Sequence, residues 1–230
     1  MNNKFFNKKY WLDWLAPNRC PVCRKAIRWD ELICEDCLGK LPFLDDNHIR
    51  KCENNVEFVF SLFEYSGAVI NGIMNLKLRD GVNLAEYSAK PLCDYLKNQK
   101  IADEIDLITS VPMRAIIKRD RGYNQAEIIA KYVSKELNKP VNNKLLKCRH
   151  SKSIQHELNR IDRLKNAEKS YVQKNKHSDV KNKNILICDD VITTGATIGA
   201  CAEVLKSIGA RKIFAVTICS TDFYNSNKDS

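Results

Sequence analysis

One stretch, Asn184-Ile185-Leu186-Ile187-Cys188-Asp189-Asp190-Val191-Ile192-Thr193-Thr194-Gly195-Ala196-Thr197-Ile198, admits very few folds. Its branched apolar run reads as a buried strand and Thr-Thr-Gly-Ala-Thr as a loop, after which Ile198, Cys201, Ala202, Leu205 and Ile208 recur at helical spacing. A strand that passes through a small-residue loop into a helix N-terminus builds an anion site. Small residues let backbone N–H groups approach a ligand, and the helix adds its unpaired first-turn donors and the positive end of its dipole. Thr193, Thr194, Gly195, Ala196 and Thr197 would hold a phosphate there. Asp189 and Asp190 would repel that phosphate but accept hydrogen bonds from two hydroxyls of an attached ribose, so the implied ligand is a ribose 5-phosphate. An ordinary strand-to-helix turn capped by a threonine accounts for the caps but not for the whole composition.

Upstream, the pattern alternates. Val56 to Tyr65 reads as a strand, Val69, Ile70, Ile73, Met74 and Lys77 follow helical spacing, and a second helix is expected over Leu84 to Lys97. Ile105 to Val111 reads as a buried strand stopping at Pro112, and Tyr123 to Asn138 as a helix with Ile128, Ile129, Val133 and Leu137 on one face. Strand and helix in alternation imply an α/β domain with a mostly parallel sheet flanked by helices. Ligands of such sheets collect beyond the carboxyl ends of the strands, so the loops after Val111 and after Cys188 are expected to face one crevice. The loop after Val111 carries Arg114, Lys118, Arg119 and Arg121, which would meet a diphosphate through charge-assisted bonds. The competing reading of that run is a solvated helix start.

Cys20-Pro21-Val22-Cys23 and Cys34-Glu35-Asp36-Cys37 are two Cys-x-x-Cys knuckles separated by ten residues. Each knuckle offers two sulfurs to one ion, and four thiolates at this spacing suit a tetrahedral, closed, structural zinc. Zinc would supply folding energy that so short a segment cannot obtain from a core of its own. A redox pair explains one knuckle but not two in tandem. The reading divides the chain into an N-terminal segment with a double zinc ribbon-like module, 1–55, and an α/β domain, 56–230.

The chain has 230 residues and a net charge of +10, which points to an anionic partner. Ten basic against four acidic residues give Cys148 to Lys183 a net +6, and Pro112 to Arg121 has a net +3, so two segments hold nearly all of the excess. His150, His156, Tyr171 and His177 are interspersed, as in surfaces that stack exposed bases while neutralising phosphates. A lysine-rich lid over the site is the equal alternative. No signal peptide or apolar span is apparent, which leads to an expectation of a cytoplasmic location and reduced thiols. Trp11, Trp14 and Leu15 are expected to pack on the neighbouring module, with a sticky edge for a partner or membrane surface as the alternative.

With these residues in view, the chain resembles the type I phosphoribosyltransferases, which bind phosphoribosyl pyrophosphate, and more closely the ComF family of competence-associated phosphoribosyltransferase-like proteins, in its zinc-ribbon-bearing ComFC type. Four passages carry the resemblance: the two knuckles, Arg119-Asp120-Arg121-Gly122-Tyr123-Asn124-Gln125-Ala126-Glu127, Gln155-His156-Glu157-Leu158-Asn159-Arg160-Ile161-Asp162-Arg163-Leu164-Lys165-Asn166, and the Asp189 to Thr197 loop. In Lys77-Leu78-Arg79-Asp80-Gly81 the acid and glycine stand in the reverse of the family's order. The resemblance implies a type I phosphoribosyltransferase fold with a small N-terminal zinc ribbon, and a role in natural transformation on the cytoplasmic side of the inner membrane. The protein would bind single-stranded DNA and phosphoribosyl pyrophosphate, with DNA-uptake proteins as neighbours and Lys165 and Lys169 as further DNA or diphosphate contacts. The alternative is an active transferase that moves the phosphoribosyl group, with magnesium, onto a nitrogen nucleophile.

Overall fold

The computed structural model describes residues 17–44, 49–50, 55–78, 81–149, 171–174 and 180–221. Lys165, Lys169, Lys176, Cys52, His150, His156, His177, Trp11, Trp14 and Leu15 lie outside the described residues.

A short helix, α1 (Glu35–Leu38), is followed by β1 (Ile49–Arg50), β2 (Phe58–Glu64), α2 (Gly67–Lys77), α3 (Val82–Asn98) and β3 (Leu107–Ser110). Then come α4 (Ala115–Arg121), α5 (Gln125–Leu137), β4 (Leu146–Cys148), β5 (Tyr171–Gln173), β6 (Ile185–Ile192), α6 (Ala196–Ser207) and β7 (Ile213–Ser220). The central sheet runs β1-β2-β7-β6-β3, and β4 pairs with β5 in a separate two-stranded sheet. The β2–β7, β7–β6 and β6–β3 pairs are parallel, and β1 joins antiparallel on β2.

Strand periodicity divides the core in two. Along β6, Leu186 and Cys188 belong to one apolar cluster and Ile185 and Ile187 to the other; β7 repeats this with Phe214 and Val216 against Ile213 and Ala215. Successive strand residues point to opposite faces, so a run apolar at every position must be covered on both. Ile73 and Leu76 of α2, Leu84 and Leu92 of α3, and Ile129 and Val133 of α5 cover the first face. Ile198, Cys201 and Leu205 of α6 cover the second.

The ribbon is not a separate body. Cys20, Val22, Ile33, Cys37 and Leu41 share the first cluster with Phe63, Ile73, Leu76 and Leu84. Asn18 Nδ2 closes the ribbon's own turn by donating to the carbonyls of Arg28, at 2.8 Å, and Glu31, at 2.7 Å.

One segment differs from its expected form. The basic run after Val111 is not an open loop but winds into α4, ending at Gly122, whose left-handed φ of 82° lets its N–H return to the Lys118 carbonyl at 2.8 Å. That winding decides which cations meet the crevice.

Candidate phosphate and ligand cleft

A cleft of about 300 Å³ opens at the carboxyl ends of β3 and β6. The two strands are locked side by side, since Ser110 is paired with Cys188 and the Val111 N–H continues the ladder to the Cys188 carbonyl at 3.0 Å. Because β6 runs four residues further than this pairing, Asp189 and Asp190 project past the end of β3. The cleft wall includes both aspartates, Lys77 from the end of α2, and Arg114, Ile117 and Arg121 along α4. Helical steps of three and four residues place those three α4 positions on one face. Lys118 is turned to Glu127, with its Nζ 2.7 Å from both carboxylate oxygens, and exposed Arg119 stands beside Asp120. Of the four basic residues expected to face the ligand, Arg114 and Arg121 line the cleft, and Lys118 and Arg119 do not.

The two carboxylates are held by local turns. Asp189 Oδ1 accepts from the Asp190 N–H and Asp190 Oδ1 from the Val191 N–H, both at 2.9 Å. Burial and the neighbouring Asp190 carboxylate push the Asp189 carboxyl well above the usual carboxylate range, and Lys77 partly offsets this. Lys77 is therefore electrostatically part of the site although it comes from the far side of the sheet order.

At the start of α6, Gly195 takes a left-handed φ of 77°. The Thr194 hydroxyl caps the first turn, accepting from the Ala196 N–H at 3.3 Å. Thr193 and Thr194 are exposed, and Gly195, Ala196 and Thr197 are half-buried. This loop does not line the cleft itself but adjoins it: Tyr171, which does, packs against the cluster that holds Ile198 and Cys201 of α6. Cys148 pairs with Tyr171 in the β4–β5 ladder and also lines the cleft, so both ends of the basic 150–170 stretch attach at this wall. Burial holds the Cys148 thiol above its ordinary range, with Arg114 pulling the other way.

Sequence reasoning assigned no role to Gln125, although it quoted the motif that contains it. Gln125 opens α5, lines the cleft and is only 2% exposed, and its Nε2 has no hydrogen-bond partner. Its neighbour Asn124 is fully used: Nδ2 donates to the Val111 carbonyl at 2.9 Å and Oδ1 caps α5 through the Ala126 N–H at 3.1 Å. A buried amide donor left open on a cleft wall is a group waiting for a ligand acceptor. The first turn of α5 adds a second helix N-terminus to the same cleft. Cations, an open amide and two carboxylates make an arrangement able to grip a phosphorylated sugar by its charges and its hydroxyls.

The four knuckle sulfurs of Cys20, Cys23, Cys34 and Cys37 lie within 4.8 Å of one another. Tetrahedral zinc with bonds of about 2.3 Å requires sulfurs about 3.8 Å apart; Cys23 and Cys34 are at 3.7 Å. Burial raises the Cys20 thiol, but the N–H groups of Cys23, Cys34 and Val22 outweigh it and bring it down to about 7. Burial and the three other sulfurs push Cys37 up. Four sulfurs this close ionise together only around a cation, so the set fits a structural zinc.

Comparison with known proteins agrees with this architecture. Residues 95–229 match the phosphoribosyl transferase domain, and residues 11–62 match the double zinc ribbon domain. Competence protein F of Haemophilus influenzae is 28% identical over 200 residues, covering 84% of this chain and 86% of that protein. DNA utilization protein YhgH of Escherichia coli K12 is 23% identical over 210 residues, covering 88% of this chain and 90% of that protein. A hypoxanthine phosphoribosyltransferase from Staphylococcus aureus superposes with a TM-score of 0.39 at 14% identity, over 60% of this chain and 64% of that one. The chain belongs to the phosphoribosyl transferase domain family, as a homologue of Competence protein F and YhgH that carries a double zinc ribbon.

Proposed function

We propose that the protein is a DNA-uptake and DNA-utilisation factor that binds phosphoribosyl pyrophosphate in the β3–β6 cleft and single-stranded DNA on its basic surface. The observation that carries the reading is the likeness to Competence protein F, which covers 84% of this chain and 86% of that protein. The cleft supports the ligand half. Asp189 and Asp190 take the ribose hydroxyls, the Thr193 to Thr197 loop takes the 5-phosphate, and Lys77, Arg114 and Arg121 take the diphosphate. Magnesium that accompanies the diphosphate lowers its charge and suits oxygen donors of this kind. The DNA half rests on the surplus of positive charge, which exceeds what one sugar phosphate needs. The protein then acts on the cytoplasmic side, beside the uptake proteins of the inner membrane; among the described residues no helix is long and apolar enough to cross a membrane.

Calorimetry with phosphoribosyl pyrophosphate and a salt series of single-stranded DNA binding test the two halves separately. Backbone neutralisation predicts a log–log salt slope of roughly −0.7 per phosphate contacted. Replacing Lys165, Lys169, Lys174 and Lys176 by Gln is expected to flatten that slope while small-ligand affinity stays near wild type. A salt-insensitive DNA affinity, or a quadruple variant that loses the small ligand and keeps DNA, refutes the DNA surface. Pyrophosphate release in the presence of a nitrogen base shifts the assignment to an active transferase.

A further inference from the structure

We propose that the zinc ribbon holds Lys77 in the cleft through the last turn of α2, so that zinc occupancy and anion affinity are coupled. This rests on the cleft being an anion site, as argued above.

The contacts run without a break. Pro21, inside the first knuckle, accepts a 2.7 Å hydrogen bond from Asn75 Nδ2. Asn75 is 8% exposed, so neither partner can turn to bulk water if the bond is lost, and the cost falls on that turn of helix. One turn earlier the knuckle rests on the helix backbone: a Cβ at Gly72 would meet Val22 Cγ2 at 3.6 Å. A second tie joins Asn83 Nδ2 of α3 to Asn18 Oδ1 at 2.7 Å. The next residue, Leu76, is fully buried, and its carbonyl accepts a hydrogen bond from the Tyr123 hydroxyl, between α4 and α5. Lys77 follows and lines the cleft. A helix turns by roughly 100° per residue, so three consecutive residues point three ways. Here the Asn75 side chain meets the zinc knuckle, the Leu76 side chain the apolar core and Lys77 the ligand space, while the Leu76 carbonyl ties the turn to the wall segment.

Zinc organises the knuckle that presents the Pro21 carbonyl. Losing the ion frees the terminal turn of α2 and takes a cation out of the cleft. Coupling of this kind is reciprocal: a ligand that fixes Lys77 must raise the affinity for zinc. The probe is inorganic pyrophosphate, on the full chain loaded with zinc. Asn75→Ala, with all four cysteines kept, is expected to bind pyrophosphate about fivefold or more weakly. Saturating pyrophosphate is expected to raise the chelator concentration that strips half the zinc from the wild type at equilibrium, read colorimetrically, but not from Lys77→Gln. Direct chelation of zinc by pyrophosphate acts in the opposite direction and in both proteins, so it cannot mimic the result. The equilibrium chelator titration of the wild type decides the question even if Asn75→Ala fails to fold. A chelator midpoint unchanged or lowered by pyrophosphate, in a wild type that binds it, overturns the coupling and leaves the cleft reading intact. A wild type that binds no pyrophosphate overturns both.

Discussion

Replacing Gly81 by alanine is expected to destabilise the protein by about 2 kcal/mol, for a steric reason alone. Gly81 is buried at the start of α3 with φ −115°, a conformation alanine adopts freely, so no backbone strain enters. The obstacle is the neighbouring helix end: a Cβ there would lie 2.3 Å from Leu76 N and 2.7 Å from Asn75 C and Leu76 Cα. These are backbone atoms of a packed turn, so no side-chain rotation relieves the overlap, and α2 and α3 must part by close to an ångström. Overpacking of this kind costs roughly 1–3 kcal/mol, and the backbone identity of all three neighbours puts it near the top, at about 3. Loss of glycine's freedom in the unfolded chain returns about 0.4–1 kcal/mol, which leaves about 2. For a chain of this size each kcal/mol moves the midpoint by roughly 2–4 °C, so calorimetric melting should fall by about 4–8 °C. Pyrophosphate affinity should fall with it, because the displaced turn carries Lys77. A midpoint within about 1 °C of wild type would mean that the two helices separate at little cost and that the close approach at Gly81 holds nothing in place.

The parts of the molecule that sequence disclosed are those set by near neighbours along the chain. The apolar run of β6, the left-handed turn at Gly195 and the first turn of α6 are consequences of contiguous residues, and each is legible as such. The four knuckle cysteines are legible because zinc geometry restricts spacing. The remainder depends on contacts that sequence order hides. Lys118 is withdrawn from the cleft by Glu127, on the next helix, so a run of four cations delivers two. Lys77 reaches Asp189 only because β7 lies between β2 and β6 in the sheet, a strand order that no local pattern encodes. Gln125 stood in a recognisable motif, yet its significance lies in a partner its Nε2 lacks, which becomes apparent only once Asn124 and Val111 are seen bonded to each other beside it. Tyr171, expected among base-stacking aromatics, forms cleft wall beside its ladder partner Cys148. The signal that would have found Lys77 and Gln125 is their position at the two helix ends nearest the crevice, α2 closing on it and α5 opening from it.

Two further substitutions separate binding from stability. Gln125→Leu removes a buried amide that lacks a partner, so the free protein should gain up to about 1–3 kcal/mol in denaturant unfolding. Phosphoribosyl pyrophosphate should bind about tenfold or more weakly, as loss of a bond to a charged acceptor costs about 1.5–3 kcal/mol; a variant that is less stable, or binds unchanged, would refute the role given to this amide. Asp189→Asn should alter stability in a pH-dependent direction. Burial and Asp190 raise the Asp189 carboxyl in the folded chain, so the native state holds this proton more tightly than the unfolded state does. Its contribution is therefore fully present below the ordinary carboxylate pKa of about 3.9 and is lost as pH rises through the raised native value. Asparagine cannot ionise, so that loss disappears. In urea melts the variant should gain progressively on the wild type as pH rises above about 4, while its ribose-phosphate binding weakens, because an amide presents one acceptor oxygen where the ionised carboxylate presents two. A difference between the two proteins that stays flat with pH would show that Asp189 ionises as a solvated carboxylate does. The pair at the end of β6 would then owe nothing to the like charge beside it, and the cleft would lack the stored repulsion that a cation or a ribose hydroxyl is expected to relieve.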